Sequence, residues 1–153
     1  MMHQPPLKLA TCFFSDLHIR ENTPFNPSDD YWTSPTPEEE VEFRVRVFHD
    51  ESEGPRKQWR AGLQIETSSH DEDSSPTSPY TIQVTAIGEF VVTDSDRTEE
   101  DIEALVAKVG GAMLYSAARE FLATVSARMI HGTYLLPTVS FVNMTRNATS
   151  AEN

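Results

Sequence analysis

The feature that most constrains the fold is an apolar, helix-forming stretch near the C-terminus, from Gly111 to Phe141. Its apolar residues recur at steps of three and four, which stacks them on one side of a helix. The predicted apolar side consists of Met113, Leu114, Ala117, Phe121, Val125, Met129 and Ile130, and the opposite side of Ser116, Arg119, Glu120, Ala123 and Ala127. Because water cannot cover such a stripe, the helix needs a sheet or a second copy of itself against it.

Four segments before this helix alternate apolar and polar residues, which is the pattern of a strand with one buried face. They span residues 7–20, 41–48, 57–67 and 80–93. The turn at Gly54-Pro55 predicts a hairpin of the second and third strands. Gly88, inside the fourth strand, predicts a bulge or a close backbone approach.

The first strand is predicted to bury one face over its whole length. Its buried side consists of Leu7, Leu9, Phe13, Leu17 and Ile19, and its other side of Lys8, Asp16, His18 and Arg20, with Cys12 and Phe14 in the middle. Cys12 is expected to pack there as a small apolar residue.

The C-terminal part contains the signals that begin and end helices. Thr98 to Asp101 forms a capping box with an acidic first turn. The pair Gly110-Gly111 predicts a break or kink before the main helix, and Gly132 predicts its end. Pro137 then predicts an extended segment that ends at Phe141, followed by a frayed, disordered tail over residues 142–153.

The order of four strands followed by a helix predicts an α+β fold, a four-stranded antiparallel sheet with the long C-terminal helix packed on one face. A length of 153 residues predicts one domain, residues 1–153.

Charge and cysteine content narrow the classes of partner and compartment. The net charge of −12 disfavours a nucleic-acid partner, because phosphates repel acidic proteins. The single cysteine, Cys12, cannot form an intramolecular disulfide and fits a reducing cytoplasm. The sequence shows neither a signal peptide nor an apolar run of about 18 residues, so we expect a cytoplasmic protein without direct membrane insertion.

No motif in the sequence indicates catalysis. The five histidines lie in separate segments without metal-ligand spacing, and the nucleophile-elbow and phosphate-binding glycine motifs are missing. The expectation is therefore that the chain is not an enzyme and has no catalytic residues, metal site or cofactor.

Several short motifs, in their shared order and spacing over residues 7–141, resemble SecB, the family of bacterial export chaperones. The segment MLYSAARE (113–120) resembles the start of the family's helix, and LLPTVSF (135–141) is similar to its ending, with Ser140 where asparagine is usual. Trp32 matches a tryptophan of the crossover loop, and Gly88-Glu-Phe90 resembles the Gly-x-Phe of the fourth strand.

The resemblance implies an ATP-independent holdase that binds unfolded precursor polypeptides in long apolar grooves, keeps them export-competent and delivers them to SecA. The family's groove strand matches Val41, Phe43 and Val45, which alternation alone marks as one apolar face. The crossover-loop aromatics that would join them in client binding are Phe25, Tyr31 and Trp32.

The resemblance also implies a homotetramer, a dimer of dimers in which two protomers pair through helix and first strand. Asp16 matches one of the acidic residues that SecB presents to SecA, whereas Arg20 and Gln83 stand where two others are acidic. The family's second helix is reduced here to residues 142–153.

These departures keep two other functions open. A SecB-fold adaptor, or a chaperone associated with a toxin–antitoxin system, would bind one dedicated partner. A small α+β enzyme with a pocket under the helix is the third alternative.

Overall fold

The alternating segments build one antiparallel sheet. The structure of the chain is a computed structural model that describes residues 5–22, 41–49, 58–67, 79–93 and 96–141. The strands are β1 (Leu7–Glu21), β2 (Val41–His49), β3 (Trp59–Thr67) and β4 (Tyr80–Val92). They lie in the order β1-β4-β3-β2, and every neighbouring pair is antiparallel. The fold class is therefore the predicted α+β, with β1 and β2 at the two edges of the sheet.

The two central strands bury one complete face, as their alternation predicted. In antiparallel strands, residues that pair directly point to the same side of the sheet. The buried residues of this side are Trp59, Ala61, Leu63 and Ile65 on β3, and Tyr80, Ile82, Val84, Ala86 and Phe90 on β4. The helices cover this side, which we call the helix face; the other side is the outer face.

The edge strand β1 departs from its predicted faces. Its pairing with β4 shifts at two places, between Leu9 and Thr11 and between Phe14 and Asp16. An extra residue in one strand moves the following side chains to the opposite side. Phe14 therefore lies on the helix face, together with Cys12, whereas Phe13 is 46% exposed on the outer face. The predicted assignment of Phe13 to the buried side, and of Cys12 and Phe14 to the other, is wrong for this reason.

Gly88 is a point of close approach and not a bulge. It pairs in register with Ala61 on β3 and with Cys12 on β1. A Cβ at Gly88 would lie 2.8 Å from Leu114 Cδ2 and 2.9 Å from the Phe90 ring. The missing side chain thus lets the helix approach the sheet.

The helical part begins as predicted but is not broken by its glycines. Helix α1 (Glu99–Leu105) is capped by Thr98, whose hydroxyl accepts a hydrogen bond from the Asp101 N–H at 3.2 Å. A π-helical segment (Val106–Gly110) follows and leads directly into α2 (Gly111–Ser126).

Gly110 and Gly111 keep helical backbone angles, so the predicted break is wrong. Close packing explains why both positions are glycine. A Cβ at Gly110 would lie 2.9 Å from Phe90 Cζ, and a Cβ at Gly111 would lie 3.1 Å from Val45 Cγ2.

The buried side of α2 differs from the predicted stripe by about one residue position. Met113, Ala117, Phe121 and Val125 are only half-buried, and Ile130 is 75% exposed. The sheet is contacted instead by a stripe that includes small residues: Gly111, Leu114, Tyr115, Ala118, Leu122 and Ser126. The prediction followed the largest apolar residues, whereas close packing favours the glycine and alanine positions.

Helix α2 ends at Ser126 and not at Gly132, which lies in the following turn with a left-handed φ of 76°. The extended segment predicted around Pro137 is confirmed, and it buries Tyr134, Leu136 and Phe141. The predicted tail, residues 142–153, lies outside the described residues.

Candidate polypeptide-binding surfaces

The two motifs that carry the family resemblance contact each other. Arg119, in the centre of the AARE segment of α2, donates from Nε to the backbone carbonyl of Leu136 at 2.8 Å. Tyr115 donates its hydroxyl to the carbonyl of Pro137 at 2.6 Å. Burial raises the pKa of Tyr115 to about 12, although the Arg119 charge opposes the shift. The helix motif therefore holds the C-terminal segment along α2.

A second set of hydrogen bonds fixes the turn that precedes this segment. The Tyr80 hydroxyl donates to the Gly132 carbonyl at 2.9 Å and accepts from the His131 N–H at 3.0 Å. The buried Ser126 hydroxyl accepts from the Tyr134 N–H at 2.7 Å. Because Tyr80 belongs to β4, the C-terminal segment is tied to the sheet as well as to α2.

An apolar surface lies where the edge strand β1 meets α2. The Phe14 and Phe121 rings are stacked there, with centroids 4.5 Å apart and planes 19° apart. Leu17, on the same face of β1 as Phe14, is 37% exposed, and Met113 and Val125, at helical spacing from Phe121, are half-buried. This surface, which we call the β1–α2 surface, is the kind of partly covered apolar area that a second protomer buries.

The residues predicted to bind clients fall into three groups. Phe25, Tyr31 and Trp32 lie outside the described residues. Val41 and Phe43 lie on β2, paired in register with Thr67 and Ile65. Val45 is 4% exposed and packs against Gly111, so it offers little surface to a client in the single chain.

The position of β2 bears on that groove prediction. It is an edge strand, and in the described part of the chain only β3 pairs with it. Its pairing with β3 runs without a shift from Val41 to His49. The predicted groove residues therefore lie at a free edge of the sheet, near the start of α2.

Asp16, the residue predicted to contact a SecA-type partner, lies on the outer face of β1, half-buried. His18 Nε2 is 3.4 Å from its Oδ1 atom, and Arg20 follows on the same side. An imidazole and a guanidinium group thus accompany this carboxylate on the strand that carries it.

Sequence reasoning missed two exposed aromatic residues on the outer face. Phe13 is 46% exposed and Phe48 is 49% exposed. The signal for Phe48 was available, because it alternates with Val45 and Val47 along β2. Phe13 could not be assigned, because its side depends on a register shift within β1.

Among the described residues, no group of three or more His, Cys, Asp or Glu side chains is placed to hold a metal ion. Burial raises the pKa of the Cys12 thiol, which makes it a poorer nucleophile at neutral pH. The described residues also contain no helix that is both long and apolar enough to span a membrane.

Comparison with known proteins shows similarity at the level of structure. No family model matches the sequence, and no curated protein matches it significantly. The Mycobacterium tuberculosis Rv1957 SecB-like chaperone, in complex with a ChAD peptide from the Rv1956 HigA1 antitoxin, is similar with a TM-score of 0.58 and 16% identity. The match covers 88% of this chain and 91% of that one. The fold is therefore SecB-like.

A Streptococcus agalactiae protein of unknown function is similar with a TM-score of 0.46 and 11% identity, over 86% of this chain and 97% of that one.

Proposed function

We propose that this protein is an ATP-independent chaperone that holds unfolded polypeptides against an apolar groove at the β2 edge. The observation that carries the proposal is the place of β2, an unbroken edge strand beside the start of α2, in a SecB-like fold. An unfolded chain exposes apolar side chains in many registers, so a long apolar groove binds it with little sequence preference. Contacts at several such patches add up to useful affinity.

The proposed groove consists of one buried residue that supports it and of several residues that contact the client. Val45 and Gly111 pack against each other, which fixes β2 against the start of α2. Phe43 and Val41, farther along the same strand, are the proposed client contacts, with Phe25, Tyr31 and Trp32 from the crossover segment. Val45 supports the groove from below, since it is buried.

The β1–α2 surface supports the proposed assembly. Stacked Phe14 and Phe121 lie beside Leu17, which is 37% exposed, at the free edge of β1. Pairing of two protomers there, followed by stacking of two dimers, would form the proposed cytoplasmic homotetramer. Such assembly would multiply the grooves available to one client.

A dedicated-partner chaperone is the second candidate function. The structural neighbour was solved with a peptide from an antitoxin, so a SecB-like fold can hold one defined segment. The same β2 edge would bind that segment. The two functions differ in the number of unrelated polypeptides that the groove accepts.

Transfer of clients to SecA is a further prediction that depends on Asp16. Arg20, on the same side of the same strand, weakens the negative field that a basic partner would need. Export is therefore the proposed role with the least support from the outer face.

The test is suppression of aggregation, measured by light scattering after chemically unfolded substrates are diluted into buffer without ATP. We expect near-stoichiometric suppression for several unrelated substrates. The double variant Val41→Ser/Phe43→Ser should lose it, whereas Val91→Ser, at an exposed position on the outer face, should keep it. Val45 is left unchanged because its replacement would disturb the core.

Suppression for one substrate only would favour the dedicated-partner chaperone. The absence of suppression by a folded, assembled protein would refute the holdase proposal. Retained suppression in the double variant would refute the groove assignment.

A further inference from the structure

Gly62, inside β3, has no structural reason to be glycine in the described part of the chain. Its pairing is unbroken on both sides, with Arg46 on β2 and Ile87 on β4. Among the described residues, Gly132 is the glycine with a positive φ. A Cβ at Gly62 would meet the Phe48 ring at 3.6 Å, an ordinary van der Waals contact. Glycine weakens a strand interior and often marks the close approach of another molecule.

Gly62 leaves one position of a row across the outer face without a side chain, and the Phe48 ring lies beside it at van der Waals distance. Arg46, Gly62, Ile87 and Phe13 lie side by side across the four strands, and Phe48 leans toward Gly62 from β2. Because strands are spaced by about 4.8 Å, this row is roughly 14 Å wide. That width suits a short segment of another polypeptide.

Two exposed arginines of β2 lie on this part of the outer face, Arg46 directly beside Gly62 and Arg44 two residues before Arg46, although the chain as a whole carries −12. Arg44 and Arg46 are exposed on β2, and neither forms an ion pair with another described residue. Arg60 is bound by Glu89 at 2.8 Å. The strand residues of the outer face thus combine Lys8, Arg20, Arg44, Arg46 and Arg60 with Asp16, Glu42, Glu66 and Glu89.

We propose that the outer face carries a second docking surface, which binds an acidic polypeptide segment with an exposed aromatic or large aliphatic side chain. We define this outer patch as Phe13, Arg44, Arg46, Phe48, Gly62 and Ile87. The apolar side chain of the partner packs beside Gly62 against the exposed Phe48 ring, and its carboxylates pair with Arg44 and Arg46.

Charge decides the class of partner. A basic partner would be repelled by Arg44 and Arg46. A nucleic acid carries a charge about every 1.7 Å and has no aliphatic side chain to bury, so the acidic chain repels it more strongly than it repels a short acidic segment. An acidic polypeptide gains ion pairs at the patch, and its apolar side chain gains burial against Phe48. The surface goes beyond the proposed holdase function, because it lies on the opposite side of the sheet from Val45 and α2.

The test uses a labelled synthetic peptide with glutamates around one central tryptophan and measures fluorescence anisotropy with the full chain. We expect binding that weakens as salt rises, because the arginines are exposed. A peptide with lysine in place of glutamate should not bind. Serine in place of tryptophan should weaken binding about tenfold or more.

Variants locate the site. Arg44→Glu/Arg46→Glu and Gly62→Gln should each weaken binding of the acidic peptide by about tenfold or more. Val91→Ser, on the same face outside the outer patch, and Val41→Ser/Phe43→Ser, in the proposed groove, should bind as the parent does. The thermal unfolding midpoint of each variant should stay close to that of the parent, which shows that the fold is intact.

Three outcomes would overturn the proposal. The first is equal binding of the lysine peptide, and the second is undiminished binding by Arg44→Glu/Arg46→Glu. The third is that the acidic peptide does not bind the parent protein, while Gly62→Gln abolishes self-association or the binding of a DNA duplex. Loss of client holding in Val41→Ser/Phe43→Ser, with peptide binding retained, separates this surface from the proposed groove.

Discussion

The two faces of the sheet contain similar residue types that serve different purposes. On the helix face, Gly88 and Phe90 fit against Gly110 and Leu114 so closely that an added Cβ would lie within 3 Å of its neighbours. On the outer face, a Cβ at Gly62 would meet the Phe48 ring at 3.6 Å, an ordinary contact, and that ring is 49% exposed. The first face is explained by packing within the chain. The second contains a glycine and an aromatic ring that packing within the described chain does not require, which points to an external partner.

The largest contrast is expected from the two phenylalanines. Phe90→Ala should lower the free energy of unfolding by about 3–5 kcal/mol, because it removes a buried ring and leaves a cavity. Phe48→Ala should lower it by less than about 1 kcal/mol, since the ring is 49% exposed. Urea denaturation of both variants measures the difference. Equal losses would show that the outer face is packed in the same way as the helix face.

The two strand glycines give the next contrast. Gly88→Val should cost about 1–3 kcal/mol, because the new side chain overlaps Leu114 and Phe90. Gly62→Val should change stability by about 0.5 kcal/mol or less, since valine favours strands and its Cβ would meet the half-exposed Phe48 ring at an ordinary contact distance. Thermal unfolding of the pair is the measurement. A large loss at Gly62 would mean that the glycine has an internal structural role, and would remove one support of the outer patch.

Two threonines extend the comparison to hydrogen bonds. The Thr67 hydroxyl accepts from the buried Ile82 N–H at 2.8 Å, so Thr67→Val should cost about 1–3 kcal/mol by leaving that group unpaired. Thr85 lies on the outer face, opposite Asp16 and Gln64. Thr85→Val should be neutral within about 0.5 kcal/mol. Chemical denaturation of both variants tests this, and a costly Thr85→Val would contradict the proposed difference.

The smallest expected effect is a pH dependence of the free energy of unfolding, which comes from the buried hydroxyl of Tyr115 on α2. Tyr115 has a pKa raised by burial from 10.0 to about 12. The unfolded chain therefore loses this proton first, so stability should fall as pH rises from 10 to 12, by up to roughly 2 kcal/mol. Burial also raises the pKa of Tyr80, which acts in the same direction. In Tyr115→Phe the fall should be shallower; an unchanged slope would show that Tyr115 ionises as freely in the folded chain as in the unfolded one.

The local pattern of the chain predicts much of this fold. Alternation located all four strands, and Thr98 with Asp101 located the start of α1. The identity of the buried helix stripe could not be predicted, because it depends on how closely Gly111 and Ala118 approach the sheet. The sides of Phe13 and Phe14 could not be predicted either, because register shifts depend on pairing with β4.

The candidate sites could be predicted from the sequence less completely than the fold. The resemblance pointed to β2 as the client-binding strand, but it did not show that Val45 is buried against the start of α2. The outer patch draws on β1, β2, β3 and β4, so its residues are neighbours only after the sheet has formed. Its charge is also hidden in a composition that is strongly acidic overall.

The most direct test of separate roles for the two faces is a crossed binding measurement with a permanently unfolded, labelled polypeptide. Its affinity is measured for the parent, for Val41→Ser/Phe43→Ser and for Phe48→Ser/Gly62→Gln. We expect the β2 variant to lose binding by about tenfold or more and the outer-face variant to bind as the parent does. Loss of binding in the outer-face variant, with binding retained in the β2 variant, would contradict the assignment of client holding to the β2 edge.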